Sequence, residues 1–223
     1  MRAARDAGFE CGIHTWDHVL WQDNVRGRDQ RWTVRMMRKS AERYAQVFGE
    51  IPHTHGAAGW QMNQHAFAEH EAMGYAYASD GRAQLRDNGA LRDPQAGPYR
   101  FPGGACIQMP TTLPTLDELL GREVDGQELT TGNIAAHLLA LTEGAKRDHV
   151  YTLHAELEGQ KLAPIFDALL TGWKAQGYQL ASMADYYEKI KNTPLPEHPA
   201  KWGEVPGRSG ELIVLDTTTQ DQS

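Results

Sequence analysis

Gly8-Phe-Glu-Cys-Gly-Ile-His-Thr-Trp-Asp-His18 is the stretch on which the reading of the fold turns. Phe9 to Ile13 reads as a short buried strand, with His14 and His18 following at its carboxyl end. If the chain turns helical there, residues four apart share one face, and both imidazoles point at one ion. Neutral imidazole is a common ligand for zinc and its neighbours in the transition series, so two on a rigid turn make half a site. The same spacing arises in any histidine-rich helix, where the pair does no more than cap or face solvent. The rest of the chain has to decide between these readings.

Upstream, Arg2 to Ala7 reads as the last turns of a helix stopped by Gly8. A helix end feeding a strand implies an earlier strand, so Met1 reads as an internal position of a longer αβ array. Downstream, Arg31 to Phe48 is a helix with an apolar stripe of Trp32, Met36, Met37, Tyr44, Val47 and Phe48, ended by Gly49 and Pro52. His53-Thr-His-Gly-Ala-Ala-Gly-Trp60 follows as a strand of small residues, with His53 and His55 read as exposed loop histidines. Asn63 caps a helix to Met73, and Tyr75 to Ser79 is a strand that delivers Asp80.

Gly81 to Gly104 reads as a long loop around a hairpin, and Cys106 to Met109 as the next strand. Thr115-Leu-Asp-Glu118 has capping-box spacing and opens a short helix, Leu116 to Leu120. Ile134 to Thr142 is helical, Val150 to Leu153 is a strand presenting His154, and Leu162 to Gln176 is another helix. Tyr178 to Ala181 reads as the last strand, and Ser182 caps a helix running to Lys191. Residues 1–191 therefore form one domain, and 192–223, rich in Pro, Gly and Thr, are expected to be a flexible tail.

Strand–helix alternation of this kind means an α/β fold with a mainly parallel sheet, whose chemistry sits at the strand carboxyl ends. His14, His18, Asp80 and His154 all fall there, which points to a metal-assisted hydrolytic site. The formal charge of −7 over 223 residues, with no basic run, argues against nucleic-acid binding. Two cysteines, Cys11 and Cys106, offer no disulfide framework and suggest a reducing compartment. No apolar run approaches a membrane span, so the sequence reads as soluble and cytoplasmic.

His14-Thr-Trp-Asp-His18 resembles the metal-binding His-x-x-x-His motif of the polysaccharide deacetylases, and Val150-Tyr-Thr-Leu-His-Ala-Glu-Leu-Glu-Gly159 resembles their late Leu-x-His motif. Together with Ala57-Ala-Gly-Trp60, Tyr77-Ala-Ser-Asp80 and Pro110-Thr-Thr-Leu-Pro-Thr115, these stretches are similar to one branch of that family. That branch removes the formyl group from 4-deoxy-4-formamido-L-arabinose carried on undecaprenyl phosphate, in the modification of lipid A. The likeness runs in matching order from about Ala3 to Lys191.

The resemblance implies a distorted, incompletely closed (β/α) barrel and a divalent metal, zinc by preference. It makes His14 and His18 metal ligands and His154 the general acid, oriented by Asp80. Trp16, Trp60, Pro110 and Thr112 would line the sugar cleft, with packing of the barrel rim as the alternative for each. A lipid-linked amino sugar would be the substrate, met at the cytoplasmic membrane face. Two departures qualify the match. The family's first motif, an aspartate pair that supplies catalytic base and third ligand, is absent before His14, and Asp17, lying between the two histidines, faces another way; His53 and His55 are candidate substitute ligands, with exposed loop histidines the commoner case. The chain therefore reads as an N-terminally shortened form lacking the first strands, with weak metal binding and slow turnover expected. The arginine of the family's third motif is missing from the Ala-Ala-Gly-Trp stretch, as it is in the deformylase branch. An N-acetyl-glycan deacetylase, and a non-catalytic remnant binding a sugar or partner, are the alternatives.

Overall fold

The computed structural model describes residues 1–216. A short helix α1 (Arg2–Asp6) leads into residues 9–12, which are not strand: only Ile13 pairs, in a parallel bridge with His55. Phe9 is 69% exposed, so the expected five-residue buried strand shrinks to one residue. Ile13 and His55 are held by bonds from the Ile13 N–H to the Thr54 carbonyl and from the Gly56 N–H to the Ile13 carbonyl.

Of the two helices that follow, the first was legible from its apolar stripe and closing glycine, the second from its Asn63 cap. In α3 (Gln30–Phe48) the Asp29 carboxylate accepts from the Trp32 N–H, and Gly49 closes the far end at φ 78°. Its buried positions Thr33, Met36, Met37 and Ser40 repeat at helical spacing and press the methionines into the core. In α4 (Gln64–Met73) Asn63 caps by accepting from the Ala66 N–H.

The sheet is short-stranded: β1 (Thr54–His55), β2 (Tyr77–Ala78), β3 (Tyr99–Arg100) and β4 (Ile107–Gln108), in the order β1-β2-β4-β3. The β1–β2 and β2–β4 pairs are parallel and β3 is antiparallel, which fits the expected mainly parallel sheet. Beyond β4, the segment at Val150 lies alongside: the Thr112 N–H donates to the Val150 carbonyl at 2.9 Å, and the Thr111 and Thr152 hydroxyls share a hydrogen bond of 2.6 Å. Residues 150–153 and 178–181 are extended but carry no strand ladder, contrary to the sequence reading. Among the described residues the sheet does not close, in keeping with an incomplete, distorted barrel.

The remaining helices form a second packed layer. In α5 (Leu116–Leu119) Glu118 reaches back to accept from the Thr115 N–H, as the capping-box spacing requires. After the small hairpin β5 (Glu123–Val124) and β6 (Gln127–Glu128), α6 (Ile134–Thr142) and α7 (Ala163–Ala175) bury Leu138, Ile165, Leu169 and Trp173 against Leu116 and Leu119. A π-turn at Leu157–Lys161 precedes α7, and α8 (Met183–Ile190) starts at the Ser182 cap.

Residues 200–215 correct the expectation of a flexible tail. β7 (Ala200–Glu204) and β8 (Glu211–Leu215) form an antiparallel hairpin whose Leu212, Ile213, Val214 and Leu215 are buried. The chain after Asp80 docks on β8: the Arg82 N–H donates to the Ile213 carbonyl, and the Leu215 N–H donates to the Arg82 carbonyl. A continuous apolar run with β-branched residues at its centre, such as Leu-Ile-Val-Leu, is a buried-strand signal that outweighs the surrounding prolines. The part of the expected tail at 217–223 lies outside the described residues.

Candidate active site

The parallel strands at Ile13, β1, β2 and β4 end on one edge of the sheet, and the titratable groups gather at two depths there. The outer group begins with His14. Its Nδ1 lies 2.7 Å from the Gly56 carbonyl, so an Nδ1–H donating there leaves the Nε2 lone pair free. Crowding by neighbouring groups and repulsion from His18 and His55 lower its pKa, which keeps the ring neutral and ready to act as a ligand. His18 is not on a helix with His14, as the sequence reading had it. Thr15 takes a left-handed φ of 62°, and α2 (His18–Gln22) begins only at His18. The two rings nonetheless come to 5.1 Å between centroids. Asp17 is committed to capping α2, accepting from the Leu20 N–H at 2.9 Å.

Two imidazoles side by side on an exposed rim fit a divalent cation as part of a donor set. Among the described residues, no third His, Cys or carboxylate joins them closely enough to complete a three-ligand group.

His154 follows the Val150 segment that lies beyond β4. Its Nδ1 faces Asp117 Oδ1 at 3.5 Å, and its backbone N–H donates to the buried Glu158 at 3.0 Å. Asp117 is held in turn by Arg208, whose Nη2 is 2.9 Å from Oδ2. Arg208 also reaches Glu118 Oε1 with Nε at 2.7 Å, and Arg82 pairs with the same Glu118 through both carboxylate oxygens. Burial alone pushes the Glu118 carboxyl up, but Arg82 and Arg208 outweigh it and hold its pKa below the usual carboxylate range.

Asp80 therefore does not orient His154. It is buried under the rim, where Oδ1 meets His55 Nδ1 at 2.7 Å and Oδ2 lies 3.4 Å from His70 Nδ1. His55, expected as an exposed loop histidine, is 3% exposed, while His53 does lie at the surface. The residues read as cleft lining divide. Trp16 is exposed, with Lys39 Nζ 4.0 Å above its ring. Trp60 is buried between the guanidinium groups of Arg82 and Arg208, at 4.5 and 4.9 Å. Pro110 and Thr112 are buried too, and Thr112 Oγ1 accepts from the Val150 N–H at 2.8 Å. These three hold the rim together rather than line it.

Sequence reasoning missed Asp117, Arg208 and His70. Asp117 sits inside a capping box that already explains an acidic residue, and Arg208 lies in the stretch read as tail. His70 carried one usable signal, its place among the small and apolar residues of α4.

No family model matches the chain. A protein of Shewanella sediminis described as a 4-deoxy-4-formamido-L-arabinose-phosphoundecaprenol deformylase, ArnD, is 28% identical over 214 residues, covering 95% of this chain and 64% of the relative. A second protein so described, from Wigglesworthia glossinidia brevipalpis, is 25% identical, covering 90% of this chain and 66% of its own length. The chain thus spans just under two thirds of the length of the curated relatives it matches. Among solved structures, one described as a polysaccharide deacetylase from Mycobacterium smegmatis superposes with a TM-score of 0.64 at 18% identity, over 92% of this chain and 70% of that one. The fold is that of the polysaccharide deacetylases. In sequence the chain is similar to the ArnD deformylases over nearly its whole length.

Proposed function

We propose that this chain carries the hydrolytic site of a metal-dependent amidase acting on an amino sugar, and that the substrate is a formamido sugar linked to an undecaprenyl lipid phosphate. The observation that carries the reading is the similarity to ArnD deformylases across 95% of the chain. The side-by-side placing of His14 and His18 is consistent with it. In this reading His14 and His18 hold the cation, whose chemistry when bound is Lewis acidity toward an amide carbonyl and a lowered pKa for bound water. Asp117 faces the Nδ1 edge of the His154 ring at 3.5 Å without a hydrogen bond, and in this reading His154 donates a proton from Nε2 to the departing amine nitrogen. The Arg208 guanidinium keeps Asp117 turned toward the imidazole.

The rim also suits a lipid-linked substrate. Trp16, Val19 and Leu20, between and beside the two histidines, are exposed, and Lys39 sits over Trp16. An apolar patch edged by a cation favours contact with an anionic lipid surface. No helix among the described residues is long and apolar enough to cross a membrane.

The test is formate release from the formamido lipid against acetate release from its acetamido counterpart, with the chain loaded with zinc. Formate release that is abolished in His14→Ala/His18→Ala and in His154→Ala supports the reading. Faster acetate release would turn it toward a glycan deacetylase. Binding of the lipid-linked sugar with no release of either acid would make the chain a binding module.

A further inference from the structure

Beneath the rim, His55 at the end of β1, His70 on the buried face of α4 and Asp80 just past β2 form a closed group of their own. One ligand atom from each lies within 4.8 Å of the others, and the side chains of all three are 1% exposed. The hydrogen bond between His55 Nδ1 and Asp80 Oδ1 satisfies only part of this group. Both ring nitrogens of His70 and Asp80 Oδ2 are buried without a hydrogen-bond partner. The Tyr75 hydroxyl and Gln108 Oε1 share that condition; the Tyr75 ring packs against both imidazoles, and Gln108 hydrogen-bonds Asp80. Buried polar atoms are nearly always paired, so five unpaired ones on neighbouring side chains mark a place built around something polar.

We propose that His55, His70 and Asp80 bind a divalent transition-metal ion of the zinc class, at a site separate from the His14–His18 pair. Two imidazoles and one carboxylate are a donor set that suits zinc and its neighbours. Bonds of about 2.0–2.2 Å put tetrahedral donors roughly 3.4 Å apart, so each side chain moves inward by less than about 1 Å. The ion takes the place of the proton shared by His55 and Asp80, which is released on binding. Tyr75 or Gln108 supplies the polar neighbour for the remaining position. Because the group is sealed from solvent, the ion has no open position for a substrate. Its role is structural: it ties β1, β2 and α4 together directly under the rim histidines.

The His14→Ala/His18→Ala variant isolates this site. After loading with zinc and desalting, it is expected to keep about one equivalent of metal. Loaded with cobalt(II) instead, it is expected to show the visible absorption of a low-symmetry nitrogen–oxygen site. Adding His70→Gln should remove both signals. Asp80→Asn, which preserves shape, serves as a second variant should His70→Gln fail to fold, with folding checked by circular dichroism. A chelator should lower the melting temperature of the His14→Ala/His18→Ala protein. The proposal falls if that protein holds no metal and its melting temperature ignores the chelator, which would leave water as the occupant. It falls equally if metal persists in the folded His70→Gln or Asp80→Asn form. None of these readouts depends on turnover, so they stand apart from the test of the proposed activity.

Discussion

His14 and His18 lie exposed on the rim of the sheet, whereas His55 and His70, one strand and one helix away, are sealed beneath it with Asp80. The residue type is the same and the demands are opposite. An exposed imidazole draws compensation from water, so it is free to exchange protons, ligands and substrate. A buried one must stay neutral or be paired, and every nitrogen left without a partner costs free energy. Burial drives the pKa of His70 down to about 4 despite the carboxylate beside it. Burial also pushes Asp80 upward, but His55, His70 and the hydrogen bonds from His55 and Gln108 prevail and hold it below its ordinary value. On the proposed function, mutation at the rim is expected to cost activity and mutation in the layer beneath to cost stability.

The largest expected effect lies in the buried layer. Glu118→Ala strands the fully buried Arg82 guanidinium, and removing one partner of such a pair costs about 3–5 kcal/mol. Urea unfolding measures it, and a loss below about 1 kcal/mol would mean that buried charge is not what holds this layer. His154→Ala should do the reverse. Loss of a general acid lowers kcat by about 10²–10⁴, while unfolding shifts by no more than about 0.5 kcal/mol. A variant that lost stability and rate together would erase the distinction.

The next prediction concerns pH in metal-free protein. His70 binds its proton near pH 4 when folded and near 6.5 when unfolded. Between those values the unfolded chain holds the extra proton, so stability falls as pH drops, by up to about 3 kcal/mol at the bottom of the window. Asp80 acts in the same sense at lower pH: its contribution is present above the ordinary carboxylate range and is lost as pH falls through its depressed folded value. His149, also lowered to about 4 by burial and Arg147, has the same sign. Urea midpoints across pH 4–7 should therefore show a slope that is shallower, not absent, in His70→Gln. An unchanged slope would remove His70 from the account.

The smallest effect probes the link between the layers. Arg208→Gln frees Asp117 without exposing the Arg82–Glu118 pair, and should cost about 1–2 kcal/mol of stability. It should also lower kcat, leaving KM nearly unchanged. A loss confined to KM would place Arg208 in substrate binding instead.

Elements with local signals were readable in advance. The apolar stripe and Gly49 announced α3, Asn63 announced α4, Thr115 and Glu118 announced α5, and the helix at Ile134–Thr142 matched its reading end to end. The strands were harder, because pairing across the chain decides them: 9–12 and 150–153 looked as strand-like as 77–78, and only the last forms a ladder. The hairpin at 200–215 was misread because proline and glycine around it resemble a linker, whereas its burial depends on the distant Arg82 backbone.

The site divides along the same line. Spacing along the chain was enough to predict that His14 and His18 come side by side, since only three residues separate them. Partnership was not. Asp80 was paired in sequence reasoning with His154, and the structure gives it to His55 and His70, leaving Asp117 to His154. Which carboxylate meets which imidazole depends on how far each strand and helix reaches into the packed interior. That depth is fixed by the burial of apolar side chains over the whole domain, a quantity no local window contains.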